Sequence, residues 1–142
     1  MTEAKTIRMA ARMESLSPLM EAVLDCARRQ DFPPNRLCEL ELILEEVLVN
    51  IIHYAYPSGD GEIEIACGPA GEGALRIAVL DEGVPFNPLE KGEPDLNSPI
   101  EDRPVGGLGI YLVRHLANEV RYRHEGGKNI LALTVRRDSP AL

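Results

Sequence analysis

Positive charge is what this chain is short of. Fifteen Lys and Arg stand against 23 Asp and Glu, a formal net charge of -8. A nucleic-acid binder neutralises phosphates with clustered cations, so this composition argues against that class. Any anionic ligand would have to be held by a divalent metal, backbone N–H groups and a few local cations. Tryptophan is absent, and Phe and Tyr number only two and four, so aliphatic side chains must build the core. The three cysteines, Cys26, Cys38 and Cys67, are odd in number and lack CxxC spacing. They read as buried thiols in a reduced intracellular compartment. No run reaches the ~18 apolar residues of a membrane span, and MTEAKTIRMAARM has no signal-like apolar core. A cytoplasmic protein is expected. There is no internal repeat, no low-complexity segment and no GxSxG.

What is present suits one domain over residues 1–142, with 44% hydrophobic content to form a core. Lys5–Met13 alternates like an edge strand. Ser15-x-Ser17-Pro18 starts a helix whose apolar face is Leu16, Leu19, Ala22, Val23 and Ala27. Pro33-Pro34-Asn35 breaks it and caps a second helix, with Leu37, Leu40, Leu44, Val47, Leu48, Ile51 and Ala55 at helical spacing. Because Leu42–Ile52 is apolar almost all round apart from its polar few, that helix is expected to be largely buried. Strands are expected at Glu62–Cys67 and Ala74–Leu80, then at Glu119–His124 and Asn129–Arg136 around Gly126-Gly127, with a helix at Leu108–Ala117. Gly83–Val105 is proline-rich and aperiodic, longer than ordinary loops and so a candidate mobile lid. Grouped helices and paired strands point to an α+β two-layer sandwich.

Three segments carry chemistry. Glu46 and Asn50, four apart in LEEVLVN, share one helix face. A carboxylate and a carboxamide there can orient a nucleophile and ligate Mg²⁺, which prefers oxygen. The plain alternative is a solvated Glu and an Asn at a kink. Asp81 ends an apolar strand, where its carboxylate can accept from an exocyclic amine, and Gly83 would let a flat ring approach the backbone. Equally, Asp81-Glu82-Gly83 could be an ordinary turn. Gly106-Gly107-Leu108-Gly109 opens a helix, and free N–H groups at a helix start suit phosphate. It is neither a Walker A loop nor a dinucleotide fingerprint. Against the phosphate reading stands a simple hinge before a helix. His53, His115 and His124 show no metal-ligand spacing.

Taken together and in this order, EEVLVNIIHYAY, VLDEGVPF and GGLGIYLV resemble the ATP site of the GHKL superfamily, and most of all its small anti-sigma-factor serine/threonine kinases. The resemblance covers about Leu37 to Arg136. It implies a two-layer α/β sandwich with a mixed, largely antiparallel sheet backed by three helices. It implies ATP and Mg²⁺ as cofactors, with Asn50 on the metal and Glu46 as general base. Asp81 would read the adenine amine, with Gly83 beneath the ring. Gly107, Leu108 and Gly109 would give N–H groups to the phosphates, Gly83–Val105 would be the lid, and Arg103 would face the γ-phosphate. The family's Gly-Thr pair before the last strand is replaced by Gly127-Lys128-Asn129, where Asn129 is the candidate substitute contact. The implied partners are a STAS-type anti-sigma antagonist as phosphoacceptor and a sigma factor, with a homodimer possible through the N-terminal strand and first helix. Three other functions stay open: a non-catalytic nucleotide-binding regulator, a histidine-kinase catalytic fragment, and an ATPase driving large motions.

Overall fold

A computed structural model describes residues 4–85 and 107–138. Strand β1 (Lys5–Ala10) leads through a short 3₁₀ turn, Met13–Ser15, into α1 (Leu16–Arg29) and α2 (Pro34–Tyr54). Then come β2 (Glu62–Pro69), β3 (Ala74–Asp81), α3 (Gly107–Leu116), β4 (Glu119–Glu125) and β5 (Lys128–Arg136). The strands form one sheet in the order β1-β2-β3-β5-β4, and every pairing is antiparallel. The α+β sandwich is as expected, but among the described residues the sheet has no parallel pair.

Strand alternation decides which face the helices cover. Ile63, Ile65 and Cys67 of β2, Leu75, Ile77 and Val79 of β3, and Leu131, Leu133 and Val135 of β5 are all buried against the helix layer. Their alternate neighbours, such as Glu64, Arg76 and Thr134, lie on the open face. β1 ends at Ala10, three residues short of the expected limit, because the chain turns there to start the 3₁₀ turn.

Between α1 and α2 the chain reverses at Asp31, whose φ of 61° is left-handed. Pro33 is extended and precedes a proline at the first turn of α2, where the missing N–H costs nothing. α2 sits centrally, packed on both α1 and α3. It is not buried all round, however: Leu42 is 48% exposed, and Val49 and Ile52 are half-buried. A two-layer fold covers a central helix below and on its flanks, so its outward stripe stays in water. Cys38 lies on that exposed side, unlike the buried Cys26 and Cys67.

Arg36, in the first turn of α2, is 1% exposed. Its Nε donates to the Arg136 carbonyl (2.6 Å), one terminal nitrogen to Glu39 (3.0 Å) and the other to Asn118 Oδ1 (3.0 Å). Asn118 Oδ1 also accepts the Arg136 N–H at 2.8 Å. One guanidinium therefore ties the start of α2 to the ends of α3 and β5. Truncation would take this donor from the Glu39 carboxylate and the Arg136 carbonyl while Asn118 Oδ1 keeps the Arg136 N–H, so Arg36→Ala should cost about 3 kcal/mol, roughly 10 °C in Tm. Arg36→Lys should recover little, since one ammonium cannot span three directions. A loss below ~0.5 kcal/mol in urea unfolding, the size of an ordinary surface change, would show the tie to be dispensable.

The Sγ atoms of Cys26 on α1 and Cys67 on β2 lie 2.9 Å apart in the core. Burial first, and the neighbouring thiol second, push the Cys67 thiol up to about 12. In the unfolded chain it ionises near pH ~8.5. The neutral thiol's contribution is thus intact below about pH 8.5 and lost as pH rises through about 12. Unfolding free energy should fall across that window by up to ~1.4 kcal/mol per pH unit more than in Cys67→Ala. Urea titrations near neutral and alkaline pH check this, and identical alkaline slopes for the two proteins would contradict it.

Candidate functional site

The last turns of α2 and the end of β3 meet in a direct contact. Val84 donates its N–H to the Ala55 carbonyl at 2.8 Å. A Cβ at Gly83 would lie 2.2 Å from that same carbonyl oxygen, a distance no real side chain tolerates. The structural requirement for glycine here is therefore the close approach of the helix end, a different reason from the flat ring inferred from sequence.

Beside this contact a cavity of about 480 Å³, counting its open mouth, lies between α2 and the sheet. Val47 and Ile51 of α2 and Val79 and Leu131 of the sheet give it apolar walls. Its polar groups are few: Asn50 on one side, Asp81 and Asn129 at the far end, and the Tyr54 and Tyr122 side chains. A mostly apolar cleft with a handful of convergent polar groups is the usual form of a small-molecule site.

Asp81 is the last residue of β3 and is 6% exposed. The hydrogen bonds seen on its carboxylate fall on Oδ1, from the Gly83 N–H and from Asn129 Nδ2, each at 2.9 Å. Burial pushes the Asp81 carboxyl above its ordinary value, while Asn129, the Gly83 N–H and His124 pull it back. Alongside, the Tyr56 hydroxyl donates to the Glu62 carbonyl (2.6 Å) and accepts the Glu82 N–H (2.7 Å), pinning the loop after α2 to the end of β3. Burial raises the Tyr56 hydroxyl as well, which keeps it a donor. Tyr56 stands within the EEVLVNIIHYAY motif, but its role depends on a strand 26 residues away.

Glu46 and Asn50 do share a face. Asn50 Nδ2 donates to Glu46 Oε1 at 2.9 Å, and both side chains are half-buried. With its nitrogen engaged, Asn50 presents Oδ1, an oxygen suited to a hard cation. Among the described residues no group of three His, Cys, Asp or Glu could cage a metal ion. A cation here would thus complete its shell from a ligand and water, as Mg²⁺ commonly does.

Gly107, Leu108 and Gly109 form the first turn of α3. Asn118, just past the end of α3, reaches Arg36 at the start of α2, so the two packed helices run in roughly opposite directions. Ten residues of α3 span ~15 Å, and the same length along α2 from Arg36 reaches about the level of Glu46. The first turn of α3 therefore lies at the end of that helix away from Arg36. Arg103 and residues 86–105 of the expected lid lie outside the described residues, as does Gly106.

The geometry has counterparts among known proteins. The family model of the histidine kinase-like ATPase domain matches residues 9–135. A serine-protein kinase RsbW of Bacillus mycoides is 30% identical over 129 residues, 88% of this chain and 80% of that protein. RsbW of Bacillus cereus is 31% identical over the same coverage. Among solved structures, the RsbU and RsbW domains of a Mycobacterium tuberculosis protein superpose with a TM-score of 0.64 at 18% identity. That match covers 94% of this chain and 32% of the other. A blue-light activated histidine kinase of Erythrobacter litoralis gives 0.55 at 23% identity, over 75% of this chain and 32% of its own. The two structural matches bear on the fold alone. No described helix is long and apolar enough to cross a membrane. With the family model spanning most of its length, the chain belongs to the histidine kinase-like ATPase domains of the GHKL superfamily, alongside the RsbW serine-protein kinases.

Proposed function

We propose that this chain is a Mg-ATP-dependent serine/threonine kinase of the anti-sigma-factor type. It phosphorylates a STAS-type anti-sigma antagonist, binds a sigma factor, and does both in the cytoplasm as a single ATP-binding domain with a lid over about 83–105. The observation that carries the reading is the Glu46–Asn50 hydrogen bond beside a cavity that Asn50 and Asp81 both line. Sequence similarity to RsbW kinases supports the same activity. A homodimer through β1 and α1 is compatible with β1 being an edge strand.

The residues divide the work. Asp81 accepts the adenine amine at the closed end of the cavity. Asn50 would hold Mg²⁺ through Oδ1, and the cation's contribution when bound is to offset phosphate charge. Gly107, Leu108 and Gly109 offer N–H groups to the phosphates, and Arg103 supplies a positive charge on the γ-phosphate side. This matters for a chain of net charge -8, which has little general attraction for a polyanion. Glu46 takes the proton of the attacking serine or threonine hydroxyl as its oxygen bonds to the γ-phosphorus and ADP leaves. Phosphoryl transfer needs mainly such positioning and charge stabilisation.

Mg-ATP at 100-fold excess over Kd should stabilise the protein by ~2.7 kcal/mol, roughly 5–10 °C in a thermal melt. No shift with any adenine nucleotide would remove the nucleotide reading. Glu46→Gln keeps the acceptor for Asn50 but loses the base. It should bind ATP normally while transfer to a STAS-domain substrate, followed by intact mass, drops ~10²-fold or more. Full activity in that variant would move the base elsewhere. ATP binding by the wild type without transfer to any candidate partner would favour a non-catalytic regulator.

A further inference from the structure

The Asp81 carboxylate does not stand alone, and the groups behind it come from β4 and β5. In the β3–β5 register Asp81 lies opposite Asn129, and both are almost fully buried. Asn129 Nδ2 donates to Asp81 Oδ1 and to the Val84 carbonyl, each at 2.9 Å, with the Gly83 carbonyl at 3.4 Å. Its Oδ1 accepts the hydroxyl of Tyr122, which reaches across from β4 and also lines the cavity.

We propose that Tyr122 and Asn129 form a positioning pair that sets base specificity by fixing which oxygen of Asp81 the ligand meets. The proposal rests on the adenine role of Asp81 given above. A side-chain amide can turn over by half a rotation and exchange its donor and acceptor ends. Here the turned-over form would press Oδ1 against a carboxylate and a carbonyl and leave the Tyr122 hydroxyl facing an amine. The observed orientation satisfies every one of these groups. Asn129 thus directs its donors to Asp81 and the Val84 backbone, and its proposed effect on the base is exerted through Asp81.

The consequence is directional. Asp81 Oδ1 takes two donors, Asn129 Nδ2 and the Gly83 N–H, so its orientation is locked and Oδ2 is the atom offered to the cavity. A locked carboxylate oxygen accepts from an exocyclic amine and repels an exocyclic carbonyl. A site that hydrogen-bonds a substrate group in this way rejects analogues lacking it far more strongly than a merely apolar slot does. The ligand class selected is a purine nucleotide with a 6-amino group over one with a 6-oxo group. The family's threonine hydroxyl carries one donor, whereas the Asn129 amide carries two and so ties Val84, at the entrance to residues beyond 85, to the same carboxylate.

The test is the ratio of affinities for ATP and inosine triphosphate, which differ in the 6-amino against 6-oxo group and in the proton that the 6-oxo base carries on N1, measured by calorimetry on wild type, Asn129→Leu, Asn129→Thr and Tyr122→Phe. Wild type should favour ATP by ~10²-fold or more. Asn129→Leu should weaken ATP ~10–100-fold while leaving inosine triphosphate nearly unchanged, so the ratio collapses. Asn129→Thr, which restores one donor, should recover part of the ratio, and Tyr122→Phe should lose a few-fold. A purely structural role would lower Tm and weaken both nucleotides together, with the ratio intact, and that result overturns the proposal. Selective ATP binding by wild type with an unchanged ratio in all three variants sinks this inference and spares the nucleotide reading. Failure of wild type to bind any adenine nucleotide sinks both. Should Asn129→Leu not fold, the threonine and Tyr122→Phe variants decide by the same ratio.

Discussion

The direction of α3 against α2 governs the rest of the molecule, and one buried guanidinium fixes it. Arg36 holds the end of α3 through Asn118 and the end of β5 through the Arg136 carbonyl. With its C-terminal end clamped there, α3 has its first turn at the end away from Arg36. In the proposed reading a phosphate meets the N–H groups of that turn while Asn50 holds the metal. Burial lowers the affinity of Arg36 for its proton, and Glu39 restores part of it, so the clamp stays charged while remaining dry. Its role is geometric, since a buried ion pair of this kind contributes little net stability over an apolar replacement but is costly to break.

The second constraint is electrostatic. An acidic chain that takes a polyanion cannot rely on its overall field, so local groups must be few and well aimed. The cavity follows that rule, because its walls are largely apolar and its polar groups are few. Burial works against Asp81 being ionised, and the Asn129 and Gly83 hydrogen bonds work for it. Those donors favour the charged carboxylate and, in the same act, orient it.

Much of this arrangement was legible in the residues. The Glu46–Asn50 pair followed from a separation of four on a helix, and Asp81 from its place at the end of an alternating strand. The diglycine segment followed from glycines at a helix start. The family resemblance, now matched by similarity over residues 9–135, tied the three together. What stayed hidden needed knowledge of layers and register. An apolar helix cannot announce which side lacks a covering layer, so the exposure of Leu42 was missed. Arg36 lies four residues before Leu40 on the buried face, and a strict helical count would have flagged a charge among core positions. The Tyr122–Asn129 contact was reachable in principle. A two-residue turn at Gly126-Gly127 pairs Glu125 with Lys128 and His124 with Asn129, which brings Tyr122 within diagonal reach. Sequence reading located the turn but not the register that follows from it.

The close packing of Gly83 on Ala55 links recognition to chemistry through a single rigid element. Ala55 ends α2 at the base-binding end of the cavity, Asn50 lies five residues before it, and Glu46 nine. At helical rise those intervals are ~7.5 and ~13 Å along one axis. In the proposed reading, base recognition at Asp81, tied to Ala55 through Val84 and Gly83, sets where Asn50 and Glu46 stand relative to the nucleotide. A side chain at position 83 would push the helix end away from the strand. Both the adenine end and the phosphoryl end would then lose their shared reference, although only a glycine far from the reacting atoms had changed. In that reading the glycine in Asp81-Glu82-Gly83 serves the placement of Glu46 and Asn50 as much as the pocket, because the helix that carries them is seated against it.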